Sequence, residues 1–250
     1  TFHPTSMCKL TGALDDKGNV TGLHMRLSGQ SILAGLRPEA LVEGRDPNVF
    51  QGLNAQGPEG QFGYDIPNLL IDHAMRNPPF RPGFWRGVNN NQNAIYLECF
   101  IDEMAHAAGQ DPLEFRRKMM KNYPKHLAVL NTVAEKSGWG KPAAPGVFRG
   151  ISQHMGYGSY VAAVAEISVS DKGKLKIHRI VAATDCGYVV NPQQVAAQIE
   201  GSFAFGLSAL LYGEMTVKNG RMEQENFDTY EVMKMADMPP VESYPVPSGG

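Results

Sequence analysis

The sequence predicts an α+β fold, because segments with the alternation of strands and segments with the spacing of helices occur in separate runs of the chain. Three pairs of strand-like segments are each joined by a short polar turn. Four further segments repeat apolar residues at helical intervals, and two of these begin with a capping residue followed by proline. A stretch rich in glycine and proline separates the two halves of the chain.

The three predicted hairpins share one layout of strand, turn and strand. Their strands cover residues 7–14 and 20–27, 161–169 and 175–183, and 214–217 and 222–227. The first two turns both contain Asp-Lys-Gly, and the third contains Asn219-Gly220, a strong signal for a tight hairpin. The repeated turn is consistent with two similar halves, although turn chemistry alone also produces such a likeness.

Helices are predicted over residues 92–108, 111–121, 127–136 and 191–211. Asp111 and Asn191 each precede a proline, which places a side-chain acceptor at the N-cap and a residue without an N–H at the first helical position. Residues 35–63 show no regular period and are predicted to form an extended loop. The connector at 138–146 is the predicted boundary between a first lobe, residues 1–140, and a second lobe, residues 146–250.

The composition excludes several classes of protein. Lys and Arg number 23 and Asp and Glu 25, so the net charge of −2 excludes electrostatic attraction as the main binding mode and no nucleic-acid partner is expected. No apolar run approaches the roughly 18 residues that span a membrane. Charged residues are 19% of the chain, which is low and predicts burial within a larger assembly. Because neither end has the features of a natural terminus, the chain is expected to be an internal piece of a longer protein.

The usual small catalytic motifs are absent from the sequence. The seven histidines include no pair at three- or four-residue spacing, so no protein-ligated metal is predicted. There is no Gly-x-Ser-x-Gly nucleophile elbow. The three cysteines lie far apart and form no disulfide framework or Cys-x-x-Cys pair.

Two unusual segments remain as candidate binding sites. In the first, Arg86 lies between aromatic residues and Gly87, ahead of a run of carboxamides that begins a helix. A guanidinium donates to anionic oxygens, and a glycine lets a ligand approach the backbone. From the pattern alone, an arginine that caps carbonyls beside an Asn-rich turn is the favoured explanation.

The second segment runs from Asp185-Cys186-Gly187 into a helix packed with small residues. Gln194 and Gln198 lie one helical turn apart on that helix, and a carboxamide can donate to a cofactor oxygen while it stays neutral. From the pattern alone, a close-packed helix with surface or satisfied glutamines is again the favoured explanation.

Taken together, these segments resemble the molybdopterin-binding large subunit of the xanthine dehydrogenase and aldehyde oxidase family. The most similar branch is that of the isoquinoline 1-oxidoreductase beta subunit, which includes aldehyde dehydrogenases linked to cytochromes. The motifs that carry the resemblance are Tyr64-Asp65-Ile66-Pro67-Asn68, Phe84-Trp85-Arg86-Gly87 with residues 92–103, and Asp185-Cys186-Gly187 through Asn191-Pro192 to Gln198-Ile199-Glu200-Gly201.

The resemblance implies a fold of two related lobes of mixed β-sheet with flanking helices. It also implies a molybdenum hydroxylase, which inserts oxygen from water into an aldehyde or an N-heteroaromatic compound and passes two electrons to [2Fe–2S] clusters on a partner subunit. The cofactor would be molybdopterin or its cytosine dinucleotide form. By the same resemblance, Trp85, Arg86, Gly87 and Gln198 are the expected cofactor-binding residues.

The chain also departs from the family pattern. The Gly-rich Met-Gly-Gln-Gly loop and the Gly-Glu-Pro motif with the catalytic glutamate have no match, so no residue is assigned a catalytic role and the isolated chain is expected to be inactive. Val88 replaces the phenylalanine of purine-oxidising members, and no substrate-orienting arginine is found at 56–61, which disfavours xanthine as substrate.

The alternative is a non-catalytic binding or assembly module, a fragment or degenerate paralogue that does not hold the cofactor. For the enzyme, the resemblance implies a small [2Fe–2S] subunit as partner, with a membrane cytochrome c as a second candidate. It also implies a periplasmic or inner-membrane-associated location, although the chain contains no signal segment that bears on this.

Overall fold

The structure is a computed structural model that describes residues 3–55, 60–246 and 248. Its first sheet has three strands in the order β1 (Ser6–Leu14), β2 (Val20–Gly29) and β3 (Leu69–Met75). β1 and β2 form an antiparallel hairpin with a register shift at Ala13/Leu14. β3 runs parallel to β2, from Leu23 opposite Leu69 to Gly29 opposite Met75. The central strand β2 buries every second side chain at Leu23, Met25 and Leu27, as expected for a strand with one face on a core.

The first half of the chain contains four helices. They are α1 (Ile32–Leu36), α2 (Asn90–Ala107), α3 (Pro112–Met119) and α4 (Pro124–Ser137), with 3-10 turns at Pro38–Ala40 and Pro47–Phe50. Of these helices, α2 contacts β1 of this sheet. Asp111 caps α3, because its carboxylate accepts from the N–H groups of Leu113 and Glu114. α2 buries Leu97, Ile101 and Met104 along one face, whereas Ile95, which the helical spacing also assigns to the apolar stripe, is 55% exposed.

The elements of the second half are β4 (Phe148–Gly156), β5 (Ser159–Val169), β6 (Leu175–Asp185), α5 (Pro192–Leu211), β7 (Val217–Lys218), β8 (Arg221–Met222), a 3-10 turn (Met235–Asp237) and β9 (Val241–Pro245). Four of these strands form the second sheet, in the order β4, β5, β6 and β9. β9 lies parallel to β6, with Ile180 opposite Val241. β7 and β8 form a short antiparallel hairpin around Asn219-Gly220, both of which have positive φ.

The contacts divide the chain into two compact units. The first contains residues 1–128 and 153–160, and the second contains residues 129–152 and 161–250. The core of the first unit includes the fully buried Met25, Phe62 and Ile101. That of the second includes Val164 and Val181. The assignment of residues 1–140 and 146–250 as two related lobes stays a prediction.

The α+β class is confirmed, and so are the first two hairpins and all four predicted helices, within a few residues at their ends. The third hairpin is shorter than predicted, with two residues in each strand. The prediction of a loop over 35–63 is wrong only where short elements interrupt it, at the end of α1, at two 3-10 turns and at one isolated bridge. Pro38 and Pro47 each begin a 3-10 turn, which is too short to give a periodic pattern, and Val42 bridges Arg45.

Candidate functional site

Trp85, Arg86 and Gly87 form a tight turn that leads into α2. The N–H of Val88 donates to the Trp85 carbonyl at 2.8 Å, and Asn91 Nδ2 donates to the Arg86 carbonyl at 2.8 Å. Gly87 has a φ of +91°, and a Cβ there would lie 2.1 Å from Asn91 Oδ1. Only glycine therefore fits at this position without movement of Asn91.

The side chains of this turn differ in exposure. Arg86 is exposed, whereas the Trp85 ring is half-buried and meets the His3 ring edge-on, with 5.7 Å between ring centroids. His3 Nε2 lies 3.0 Å from the Val88 carbonyl, and Val88 itself has a positive φ of 50°. Arg86 therefore lies at the surface, on a turn whose backbone carbonyls are fixed by hydrogen bonds.

The carboxamide run after the turn is used mainly to fix the backbone. Asn89 Nδ2 donates to the Asn48 carbonyl at 2.8 Å, and the Asn89 N–H donates to Gln51 Oε1 at 3.2 Å. Asn93 Nδ2 donates to the carbonyls of Val49 and Gln51, at 2.9 and 2.8 Å. These bonds attach the first turn of α2 to the segment that contains the second 3-10 turn.

Gln198 lies in the second unit, on α5, where its side chain is exposed. The helix begins as predicted, since Asn191 Oδ1 accepts from the N–H groups of Gln193 and Gln194 at 3.1 and 3.2 Å. The turn before it is held by Asp185, whose Oδ1 accepts from the Gly187 N–H at 2.9 Å. Residues 85–87 are therefore adjacent, whereas Gln198 belongs to a separate unit.

A buried polar cluster in the first unit, centred on Glu98 of α2, is not among the sites that the sequence predicts. Its carboxylate accepts from the Tyr64 hydroxyl at 2.6 Å, from Arg116 Nε at 3.0 Å and from the Gln153 N–H at 2.9 Å. Arg116 also pairs with Asp102. The Arg116 side chain is fully buried and that of Glu98 is 7% exposed, so this ion pair lies in the core.

The electrostatics of the cluster follow from this burial. Burial, and next the negative charge of Glu98, raise the pKa of the Tyr64 phenol well above its ordinary value, so the phenol stays a hydrogen-bond donor. Burial disfavours the charge on Arg116, but Glu98 and its neighbours outweigh that effect and raise the Arg116 pKa. The signal in the sequence was the position of Glu98 itself, which lies among the apolar residues that α2 buries.

Two histidines of this unit lie next to that cluster and to the start of α2. His126 Nδ1 lies 2.6 Å from Gln153 Oε1, and its Nε2 lies 2.9 Å from the Gly60 carbonyl. His154 Nε2 lies 3.1 Å from Asn90 Oδ1, at the start of α2. Burial, and next the repulsion from His126, lower the pKa of His154 to about 4, so the ring is neutral at pH 7.

Within residues 3–55, 60–246 and 248, no group of three or more His, Cys, Asp and Glu side chains is arranged to hold a metal ion. No helix in that part of the chain is long and apolar enough to span a bilayer. The sequence contains no match to a substrate-orienting arginine at 56–61. Positions 56–59 lie outside the described residues.

Comparison with known proteins identifies the family. The profile of the molybdopterin cofactor-binding domain matches residues 98–239, which is more than half of the chain. The chain belongs to this family. The resemblance proposed from the motifs is therefore confirmed.

Individual relatives agree with this molybdopterin cofactor-binding family. The chain is 28% identical over 247 residues to isoquinoline 1-oxidoreductase subunit beta of Brevundimonas diminuta, covering 96% of this chain and 31% of that protein. It is 26% identical over 272 residues to the membrane-bound aldehyde dehydrogenase [pyrroloquinoline-quinone] of Gluconacetobacter polyoxogenes, covering 99% of this chain and 35% of that protein. The chain thus spans about a third of the length of these relatives.

Solved structures share the fold of this molybdopterin cofactor-binding chain. The crystal structure of quinoline 2-oxidoreductase from Pseudomonas putida 86 superposes with a TM-score of 0.72 at 11% identity, covering 97% of this chain and 55% of that one. At this identity the likeness establishes the fold alone. It confirms the expected mixed sheets with flanking helices.

Proposed function

We propose that this chain is part of the molybdopterin-binding subunit of a molybdenum-dependent oxidoreductase, which oxidises an aldehyde or an N-heteroaromatic compound with oxygen from water. The observation that carries the proposal is the family match over residues 98–239. The names of the relatives, an isoquinoline oxidoreductase and an aldehyde dehydrogenase, support these two substrate classes. The predicted lobes, residues 1–140 and 146–250, would each supply part of the cofactor site.

The donor groups of the chain fit an anionic pterin cofactor. Arg86 is exposed on a turn whose backbone is fixed, and Gly87 adds no side chain beside it. In the proposed site, Arg86 binds anionic oxygens through its planar fork, and the Gln198 carboxamide donates a hydrogen bond while it stays neutral. The half-buried Trp85 ring lies beside Arg86 on the same turn.

The cofactor, when bound, supplies the redox chemistry that protein side chains lack: oxygen transfer and uptake of two electrons from the substrate. The electrons would then pass to a partner subunit with [2Fe–2S] clusters. A membrane cytochrome c as a further partner, and a periplasmic or inner-membrane-associated location, belong to the same proposal. The name of the membrane-bound relative supports the membrane association alone.

The first test measures molybdenum and pterin in the complete gene product that contains this chain, purified from a host that makes the cofactor. We expect about one equivalent of each per chain. A folded protein with neither would contradict the proposal and favour a non-catalytic assembly module.

Two variants then test the assigned residues. Arg86→Ala is expected to lower molybdenum content, because it removes a multi-donor contact to an anionic ligand. Gln198→Ala is expected to lower turnover by about ten- to a thousand-fold, which is the usual effect of losing one oriented donor. Arg81→Ala and Gln193→Ala, at exposed positions on the same loop and helix, are the matched controls. Normal metal content and turnover in both test variants would refute the assignments.

A further inference from the structure

Two buried oxygen atoms at the start of α2 have no donor among the described residues: Gln92 Oε1 and Asn93 Oδ1. The Asn93 residue is 1% exposed, so bulk water does not reach it. A buried acceptor that lacks a donor is costly, and in folded proteins such atoms usually face an ordered ligand.

The orientation of both carboxamides is fixed by their other hydrogen bonds. Asn93 Nδ2 donates to two backbone carbonyls, those of Val49 and Gln51, so a flipped amide would set an oxygen against two oxygens. Gln92 Nε2 donates to Asn89 Oδ1 at 2.8 Å, and Asn89 Nδ2 is itself held by the Asn48 carbonyl. Both free atoms are therefore lone-pair acceptors, and any ligand must donate to them.

Both residues line one cavity of about 10 Å³. That volume corresponds to a single water-sized particle. The other polar residues that line the cavity are Ser6, Ser28, Gln30, His73 and Asn89. A single water-sized ligand fits this volume, and the lining offers hydroxyl and imidazole groups as further partners.

The charge of the lining decides between a cation and a neutral ligand. None of the described residues that line this cavity carries a carboxylate, so a buried cation would find no counter-charge among them. Burial also lowers the pKa of His73, which keeps that ring neutral at pH 7. A neutral particle with two donor hydrogens matches both acceptors.

We propose that one buried water molecule binds beneath the first turn of α2 and donates one hydrogen bond to Gln92 Oε1 and one to Asn93 Oδ1. Ser28 or His73 can donate to its oxygen, which would give the three partners that such waters typically have. The water would join the end of β2 to the turn of α2 that follows Arg86. The inference goes beyond the proposed function, since it holds whether or not the chain binds a cofactor.

The test is a crystal structure of the chain at a resolution of about 1.5 Å. We expect a single spherical density peak within hydrogen-bonding distance, about 2.7–3.2 Å, of both oxygens. Either a cavity without density while both amides keep the described orientation, or a peak with the short contacts and high coordination of a metal cation, would overturn the proposal. Because the readout is density at this site, its outcome is distinct from that of the molybdenum assay.

A pair of variants adds a solution measurement. Gln92→Met removes one acceptor at similar side-chain length, and we expect the loss of one long-lived water in ¹⁷O relaxation dispersion together with the density peak. Gln193→Met, the same substitution at an exposed position on α5, is expected to retain both signals. Equal numbers of long-lived waters in the wild type and in Gln92→Met would count against the site.

Discussion

Gly87 illustrates how much one residue determines at the candidate site. Its φ of +91° lies in the region that glycine tolerates, and its missing Cβ leaves space for the Asn91 carboxamide that holds the Arg86 carbonyl. The conformation of the backbone and the position of Asn91 therefore both depend on the absence of a side chain at this position.

The first residue-scale prediction concerns Gly87→Ala. The variant is expected to lower the free energy of unfolding by about 2–3 kcal/mol, because it combines a disfavoured φ with the displacement of Asn91. Gly44→Ala is the control, since Gly44 also has a positive φ, of 75°, but a Cβ there meets no atom within 4 Å. Its loss is expected to be about 1–2 kcal/mol. Equal losses by urea denaturation would show that the displacement of Asn91 has no cost in stability.

The second residue-scale prediction concerns His154 and pH. Its pKa is about 4 in the folded state and 6.5 in the unfolded state, so between these values only the unfolded state binds the proton. Stability from this group is therefore full above pH 6.5 and falls as the pH drops towards 4, by about 3 kcal/mol in total.

The measurement is urea denaturation at several pH values between 7 and 4. His154→Gln keeps a donor for Asn90 Oδ1 but does not titrate, so the variant is expected to lose less stability over this range than the wild type. Parallel curves for the two proteins would contradict the assignment.

Residue types alone could indicate Arg86 and Gly87 as candidates, but not the hydrogen bonds that the neighbouring carboxamides make. The carboxamides that follow suggested a ligand site, and the structure instead directs Asn89 and Asn93 to backbone carbonyls more than 40 residues earlier in the chain. Those partners belong to a segment without periodic pattern, so no rule of sequence spacing could pair them.

At the scale of elements, the buried pair of Glu98 and Arg116 links α2 to α3, and Gln153 joins it from β4. Neighbouring positions of α3 provide two contrasting ion pairs. Arg116 is fully buried against Glu98, whereas Arg117 pairs with Glu114 within the same helix at the surface. The environment of each pair, and not its charge, decides what it contributes.

The element-scale prediction is a comparison of Arg116→Met with Arg117→Met. The first variant leaves the Glu98 carboxylate buried without its cation, so we expect a loss of about 3–5 kcal/mol in the free energy of unfolding. The second removes an exposed pair and is expected to cost less than about 0.5 kcal/mol. Thermal and urea denaturation of both variants check this difference. A small loss for Arg116→Met would mean that Glu98 takes up a proton or reaches water.

Elements with local signals were predictable, and elements that depend on distant partners were not. The hairpin of β1 and β2 and the capped helices α3 and α5 carry their signals within a few residues. β3 has the sequence LLIDHAM, a short apolar run that fits a strand or a helix equally well. The segment is a strand because it pairs with β2, and no local sequence pattern predicts that pairing.

At the scale of the whole molecule, the second unit exposes many apolar side chains. None of the 20 residues of α5 is buried, and Val190, Leu210 and Phe227 are 84%, 67% and 92% exposed. Scattered apolar side chains are normal on a protein surface, but this many in one unit is typical of a surface that associates with another protein. The low share of charged residues predicts such an exposed apolar surface, although the sequence does not indicate where on the molecule it lies.

The whole-molecule prediction is that the isolated chain binds the dye ANS and self-associates at micromolar concentration. The double variant Val190→Ser with Leu210→Gln is expected to lower both signals, because it removes two of the exposed apolar groups. Met7→Gln, at a residue 74% exposed on β1, is the control and is expected to leave them nearly unchanged. A monomeric chain without ANS fluorescence would contradict the prediction.

The parallel pairing of β2 with β3 has a consequence for synthesis on the ribosome. Leu23 pairs with Leu69, so the hairpin of β1 and β2 leaves the ribosome before its third strand emerges. At roughly 5–20 residues per second, the nascent chain carries the open edge of β2 for about 2–9 s. During that interval another nascent strand can occupy the edge, which makes this segment a natural place for a chaperone to act during translation.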